Sequence, residues 1–125
     1  MKKIGLLMMV FTLMASLSFV SPAMAGDAKK GKKVFNKCRS CHDVGTKNKV
    51  GPGLKNIFGR TAGTLDGFKY SKAMKNSGIV WDETTIAEYM KNPKTYIKGN
   101  RMSFNGLRKD KDIDNLIAYL KEATE

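Results

Sequence analysis

This sequence predicts an all-α domain. Three observations carry that reading: strand-like alternation is scarce, apolar side chains recur at helical spacing in several stretches, and glycines punctuate the segments between them. Asp27 is placed to cap a short helix that runs to about Lys37, with Gly31 and Phe35 on one face. From Cys38 to Tyr70 the chain shows little periodicity and holds Pro52, Asn48, Asn56 and a succession of glycines, so it reads as loop. A second long helix follows Asp82, carries Ile86, Tyr89 and Met90 at spacings of three and four, and ends near Asn92-Pro93. Pro93, tolerated at a first helical position, opens a short turn of helix through Ile97. Gly99 and Gly106 then bracket a loop holding Met102 and Phe104. The last helix is the plainest, because Ile113, Leu116, Ile117 and Leu120 fall at i, i+3, i+4 and i+7 while Asp110, Asp112 and Asp114 crowd its positive end. Loops this long inside a small domain need something to organise them, and a large apolar ligand at the centre would do so.

Residues 1–25 are set apart. Met1-Lys2-Lys3 is a positive start, Ile4 to Val20 is apolar and uncharged, and Ala23-Met24-Ala25 offers small residues around a cleavage point. This is the pattern of a signal peptide, too short for a comfortable membrane span, with an uncleaved anchor as the alternative. The expected product is a single domain over residues 26–125, exported to the periplasm. The whole chain of 125 residues carries a formal charge of +12, and loss of Lys2 and Lys3 would leave it two units lower. A domain of this size buries only about two-thirds of its unfolded surface and gains from a staple or cofactor. The composition excludes a disordered chain, a polytopic membrane protein and a disulfide-dense scaffold.

The chemistry is concentrated in Cys38-Arg39-Ser40-Cys41-His42, a C-x-x-C-H sequence and the attachment signature of c-type haem. Two thiols two residues apart can each add across one vinyl group on the same edge of the ring, and the adjacent imidazole is then held over its face. Both cysteines and the sole histidine of the chain are spent in these five residues. A redox dithiol would want a strand before the motif, and structural zinc would want a fourth ligand, so haem is favoured over both. With no other histidine, the second axial position falls to methionine, lysine, tyrosine or nothing. Beyond residue 25 the methionines are Met74, Met90 and Met102. Met90 sits on an amphipathic helix face and Met74 in a short polar segment, whereas Met102 lies in a glycine-bounded loop able to return to the haem. Residue context favours Met102, with core filling as the commoner role of any methionine.

Many motifs in one order then resemble a class I cytochrome c of the mitochondrial and alphaproteobacterial type, over essentially all of residues 26–125. They run from Gly31-Lys32-Lys33-Val34-Phe35 and Cys38-x-x-Cys41-His42 through Gly51-Pro52-x-Leu54, Phe58-Gly59-Arg60, Gly67-Phe68-x-Tyr70 and Gly78-Ile79-x-Trp81. They continue with Asn92-Pro93-Lys94-x-Tyr96-Ile97, Met102-x-Phe104 and Leu116-Ile117-Ala118-Tyr119-Leu120. The resemblance implies the small class I cytochrome c fold, helices and long loops wrapped around one covalent haem c. It implies attachment through Cys38 and Cys41 and iron ligated by His42 and Met102. Pro52 matches the residue whose carbonyl orients the ligating histidine. Arg60, Tyr70 and Trp81 match donors around the buried haem propionates, and Tyr89 matches the residue packed near the methionine ligand. Gly31 and Phe35 match the face that crosses the last helix near Leu116 and Tyr119.

The sequence also departs from the family's pattern. Lys98 and Asn100 stand where proline and threonine are common, Arg101 replaces a lysine, Ser103 replaces an apolar residue, and Met74 replaces an asparagine. The ligand loop is therefore either looser than in the family or held by Asn100 in place of the threonine hydroxyl. A thioether and an imidazole on a buried iron favour reversible one-electron transfer over catalysis, so the expectation is an electron carrier and not an enzyme. A haem c peroxidase or gas sensor with an open iron site is the alternative, and it would want a distal acid–base group that no second histidine supplies. Lys37, Lys49, Lys94, Arg101, Arg108 and Lys109 match basic positions around the exposed haem edge, whereas Lys55, Lys75 and Lys121 read as merely solvated. A positive rim would steer the protein onto acidic docking surfaces of redox proteins: a quinol–cytochrome c reductase, and a cytochrome oxidase or reaction centre. Nucleic acid is not an expected partner, membranes enter only through such partners or an uncleaved anchor, and the expected state is a monomer.

Overall fold

The computed structural model describes residues 26–125. The expected signal peptide at residues 1–25 lies outside them. Five helices form in the described residues: α1 Ala28–Phe35, α2 Lys72–Asn76, α3 Glu83–Lys91, α4 Pro93–Tyr96 and α5 Asp110–Ala123. Among the described residues there is no strand, and the only bridge pairs Thr61 with Val80.

Each start has a local cause. The Asp27 carboxylate accepts the Lys30 N–H, the Ser71 hydroxyl accepts the Met74 N–H, and the Asn92 side chain accepts the Thr95 N–H. At α3 the cap is reciprocal: Asp82 accepts the Thr85 N–H at 2.7 Å while its own N–H donates to the Thr85 hydroxyl at 2.8 Å. Helix α5 has no side-chain cap, and Asp110 and Asp112 in its first turn supply negative charge instead. The spacing of the sequence locates α3 and α4 to within a residue or two and the start of α5 at Asp110. It ran α1 on to Lys37, where the structure turns at Asn36 and continues in overlapping turns up to the His42 N–H, which donates to the Cys38 carbonyl. It left α2 as a polar segment, since five residues are too few to show a period.

The fold closes where its ends meet. Helices α1 and α5 approach so tightly that a Cβ on Gly31 would lie 1.8 Å from the Asn115 carbonyl oxygen, a gap only glycine tolerates. Beside it the rings of Phe35 and Tyr119 stand 5.4 Å apart, and the buried Asn115 side chain accepts the Asp27 N–H at 2.8 Å. Ile113, Leu116, Ile117 and Leu120 are buried along one stripe of α5, with Ile86, Ala87 and Tyr89 of α3 among the other core residues. At the carboxyl end the Asn56 N–H donates to the Thr124 carbonyl at 2.5 Å, tying the loop to the end of α5.

Candidate functional site

The turn that follows α1 sets the first part of the site. Gly51 donates its N–H to the Cys41 carbonyl at 2.7 Å, which brings residues 49–52 alongside the Cys-His turn. Pro52 then offers its carbonyl to His42 Nδ1 at 2.8 Å. That bond fixes the tautomer with the proton on Nδ1, and Nε2 is left with a lone pair and no hydrogen-bond partner among the described residues. Burial pushes the imidazole below its ordinary pKa, with the Pro52 carbonyl opposing, so the ring is neutral and fit to ligate. Gly51 is the residue that makes room: a Cβ there would meet His42 Cε1 at 2.4 Å. Cys38 and Cys41 form no disulfide, and burial raises the Cys38 thiol pKa, keeping that thiol protonated.

The second part comes from the loop after α4. Its C-terminal anchor is the Leu107 N–H on the Met90 carbonyl at 2.7 Å, and Gly106 turns there at φ +99° where a Cβ would meet the Lys91 carbonyl oxygen at 2.2 Å. Met102 hangs between this anchor and α4. The Tyr89 hydroxyl lies 3.8 Å from Met102 Sδ, and burial pushes its pKa up to about 12, so the phenol is a standing donor. The Trp81 ring lies 5.1 Å from that of Tyr89, tilted by 49°, and its backbone is held on both sides, donating to Arg60 O at 2.9 Å and accepting from the Gly59 N–H at 2.7 Å.

These segments enclose one cavity of 370 Å³. It lies within the usual span of ligand sites, about 300–1,000 Å³, and its wall is largely apolar. All nine site residues singled out from the sequence line it: Cys38, Cys41, His42, Pro52, Arg60, Tyr70, Trp81, Tyr89 and Met102. Phe35, Leu116 and Leu120 from the paired α1 and α5 complete the wall, as do Met74 and Met90. The donors named for a carboxylate are partly engaged. Arg60 donates to the Gly53 carbonyl at 3.0 Å and the Lys55 carbonyl at 3.2 Å, and its partial burial lowers its pKa while Tyr70 opposes. Among the six basic positions expected at the rim, all are exposed, but only Lys37 and Arg101 border the cavity. Lys121, expected to be merely solvated, pairs with Glu83 at 2.5 Å.

Against known proteins, the cytochrome c family model matches residues 28–124. The chain belongs to the cytochrome c family. It is 47% identical to a cytochrome c2 of Blastochloris viridis over 91% of both chains, and 48% identical to cytochrome c-550 of Nitrobacter winogradskyi over 78% of this chain and 91% of that one. Among solved structures it resembles cytochrome cH from Methylobacterium extorquens, with a TM-score of 0.75, 42% identity, and coverage of 78% of this chain and 99% of that one. As a cytochrome c, this chain carries covalent haem c and shuttles single electrons in a respiratory or photosynthetic chain, and its all-α architecture is the family's. The residues fit that cofactor: a neutral imidazole with a free Nε2, a thioether, an apolar cavity and two free thiols at its edge meet in one place.

Sequence reasoning passed over Gly51 as anything more than part of a motif. Its demand comes from a ring nine residues away, and the only sequence signal was its place directly before Pro52.

Proposed function

We propose that this cytochrome c is a soluble periplasmic carrier. It would be released from a signal peptide at residues 1–25 and would move electrons from a quinol–cytochrome c reductase to a terminal oxidase or reaction centre. His42 Nε2 and Met102 Sδ are the metal ligands in this reading, and Cys38 and Cys41 the points of attachment. One observation carries it: the only histidine, with Nδ1 committed to Pro52, lines the same cavity as the thioether of a loop 60 residues on. Haem c, when bound, supplies a metal centre that gains and loses one electron. The chain's own part is to hold both ligands still and to exclude water. The Pro52 carbonyl keeps the imidazole in one orientation, and the Tyr89 phenol and Trp81 indole pack the methionine side with rings rather than solvent. Arg60, Tyr70 and Trp81 face the cavity as donors for carboxylates placed there.

The exposed cations at Lys37, Lys49, Lys94, Arg101, Arg108 and Lys109 support docking on acidic surfaces. The deciding test is an optical spectrum of the purified protein in both redox states. It is expected to contain the weak near-infrared band of methionine-bound ferric iron, and Met102→Ala is expected to abolish that band while leaving haem attached. A colourless protein, or an unchanged band in the variant, would refute the assignment.

A further inference from the structure

Residues 97–109 form no helix or strand, yet Met102 must return to one place in the cavity. A single side chain spans the gap. The carboxamide of Asn100 donates from Nδ2 to the Pro93 carbonyl at 2.7 Å and to the Ile97 carbonyl at 2.8 Å, which stand at the first residue of α4 and at its C-cap. Its Oδ1 accepts the Met102 N–H at 2.8 Å and lies 3.4 Å from the Tyr89 hydroxyl. Both protons of the amide are engaged and its oxygen accepts from Met102, while the one Tyr89 hydroxyl proton is shared between that oxygen and Met102 Sδ. The orientation is forced as well. Rotating the amide by half a turn would set NH₂ against the Met102 N–H and oxygen against two carbonyls, so only one assignment satisfies the network.

The geometry points to Asn100 as the positioning residue for Met102, a clamp that ties the ligand's own backbone to α4 and to Tyr89. The inference rests on Met102 being the ligand. It also answers what the departure at Asn100 does: a hydroxyl there has one proton and can serve one carbonyl, whereas the carboxamide serves two and still accepts from Met102. Asn100 is half-buried, so its bonds are sheltered from competing water.

The test uses the holoprotein with Asn100→Ala, Asn100→Asp and Asn100→Thr, and Asn105→Ala as a control in the same loop, whose side chain accepts a hydrogen bond from Lys94. Three readings are taken: the ferric near-infrared band, the pH at which it is lost, and the hydrogen exchange of the Met102 amide. In the Ala and Asp variants the amide is expected to exchange at least tenfold faster and the band to vanish at least one pH unit lower. Asp keeps an acceptor for Met102 but turns an oxygen toward two carbonyls, so it separates loss of the clamp from loss of volume. Asn100→Thr is expected to fall between these and the parent, and it carries the comparison if the harsher variants do not take up haem. A parent protein without the band overturns the ligand assignment, and the inference with it. A parent with the band whose variants match it in all three readings overturns the role of Asn100 alone.

Discussion

At the scale of single residues the site is a set of mutual constraints on two ligands. Gly51 bears directly on the first of them. A methyl group there would sit 2.4 Å from the His42 ring, and the backbone beneath it cannot retreat because Gly51 N–H is bonded to Cys41. Gly51→Ala is therefore expected to tilt the imidazole, break its bond to Pro52 and lower stability by about 1–3 kcal/mol. Thermal unfolding of the holoprotein together with its spectrum checks this, and an unaltered spectrum with an unaltered midpoint would count against it. The attachment motif was legible in the sequence because its chemistry is local. The need for Gly51 was not, because it depends on a ring brought back by folding, and Asn100 was visible only as a departure whose four partners no spacing could reveal.

At the scale of elements, periodicity exposed α3 and α5 because each is long enough to repeat its apolar stripe. Helix α2 escaped because its one signal is the Ser71 cap. Two predictions belong here. Gly31→Ala would drive a methyl group to 1.8 Å from a backbone oxygen, so α1 and α5 must part, and the expected cost is at or above about 3 kcal/mol. For a domain of this size that lowers the melting temperature by more than about 10 °C, measurable by circular dichroism. The Asp82 cap makes a pH prediction. Hydrogen bonds from Thr85 hold its carboxyl below the usual value of 3.8, so its contribution is present above that pH and fades as the pH falls through the lower folded value. Asp82→Ala is thus expected to melt earlier than the parent at neutral pH, with the gap narrowing in acid; a gap that widens in acid would contradict the cap.

At the scale of the whole molecule, the cavity is assembled from segments as far apart as Phe35 and Leu120. Its existence followed from the long loops needing an organiser, but its walls could be drawn only once α1 met α5. The surface is dominated by cations, and Lys94 stands exposed with its ammonium 3.1 Å from the Asn105 side chain. Lys94→Glu is expected to slow electron transfer to an acidic partner on the order of tenfold at low salt, with the difference shrinking as ionic strength rises. Stopped-flow kinetics over a salt series would show it, and parallel salt dependences for the two proteins would remove Lys94 from the docking face.

The contact between α1 and α5 also has a bearing on the order of events during biogenesis. Asp27 and Asn115 are 88 positions apart, so the first helix cannot make this contact until Asn115 has reached the compartment in which the chain folds. Until then the two thiols just downstream of α1 belong to an open polypeptide, reachable by whatever attaches the porphyrin. The same late junction that seals the finished molecule is therefore expected to leave a window for attachment of its cofactor.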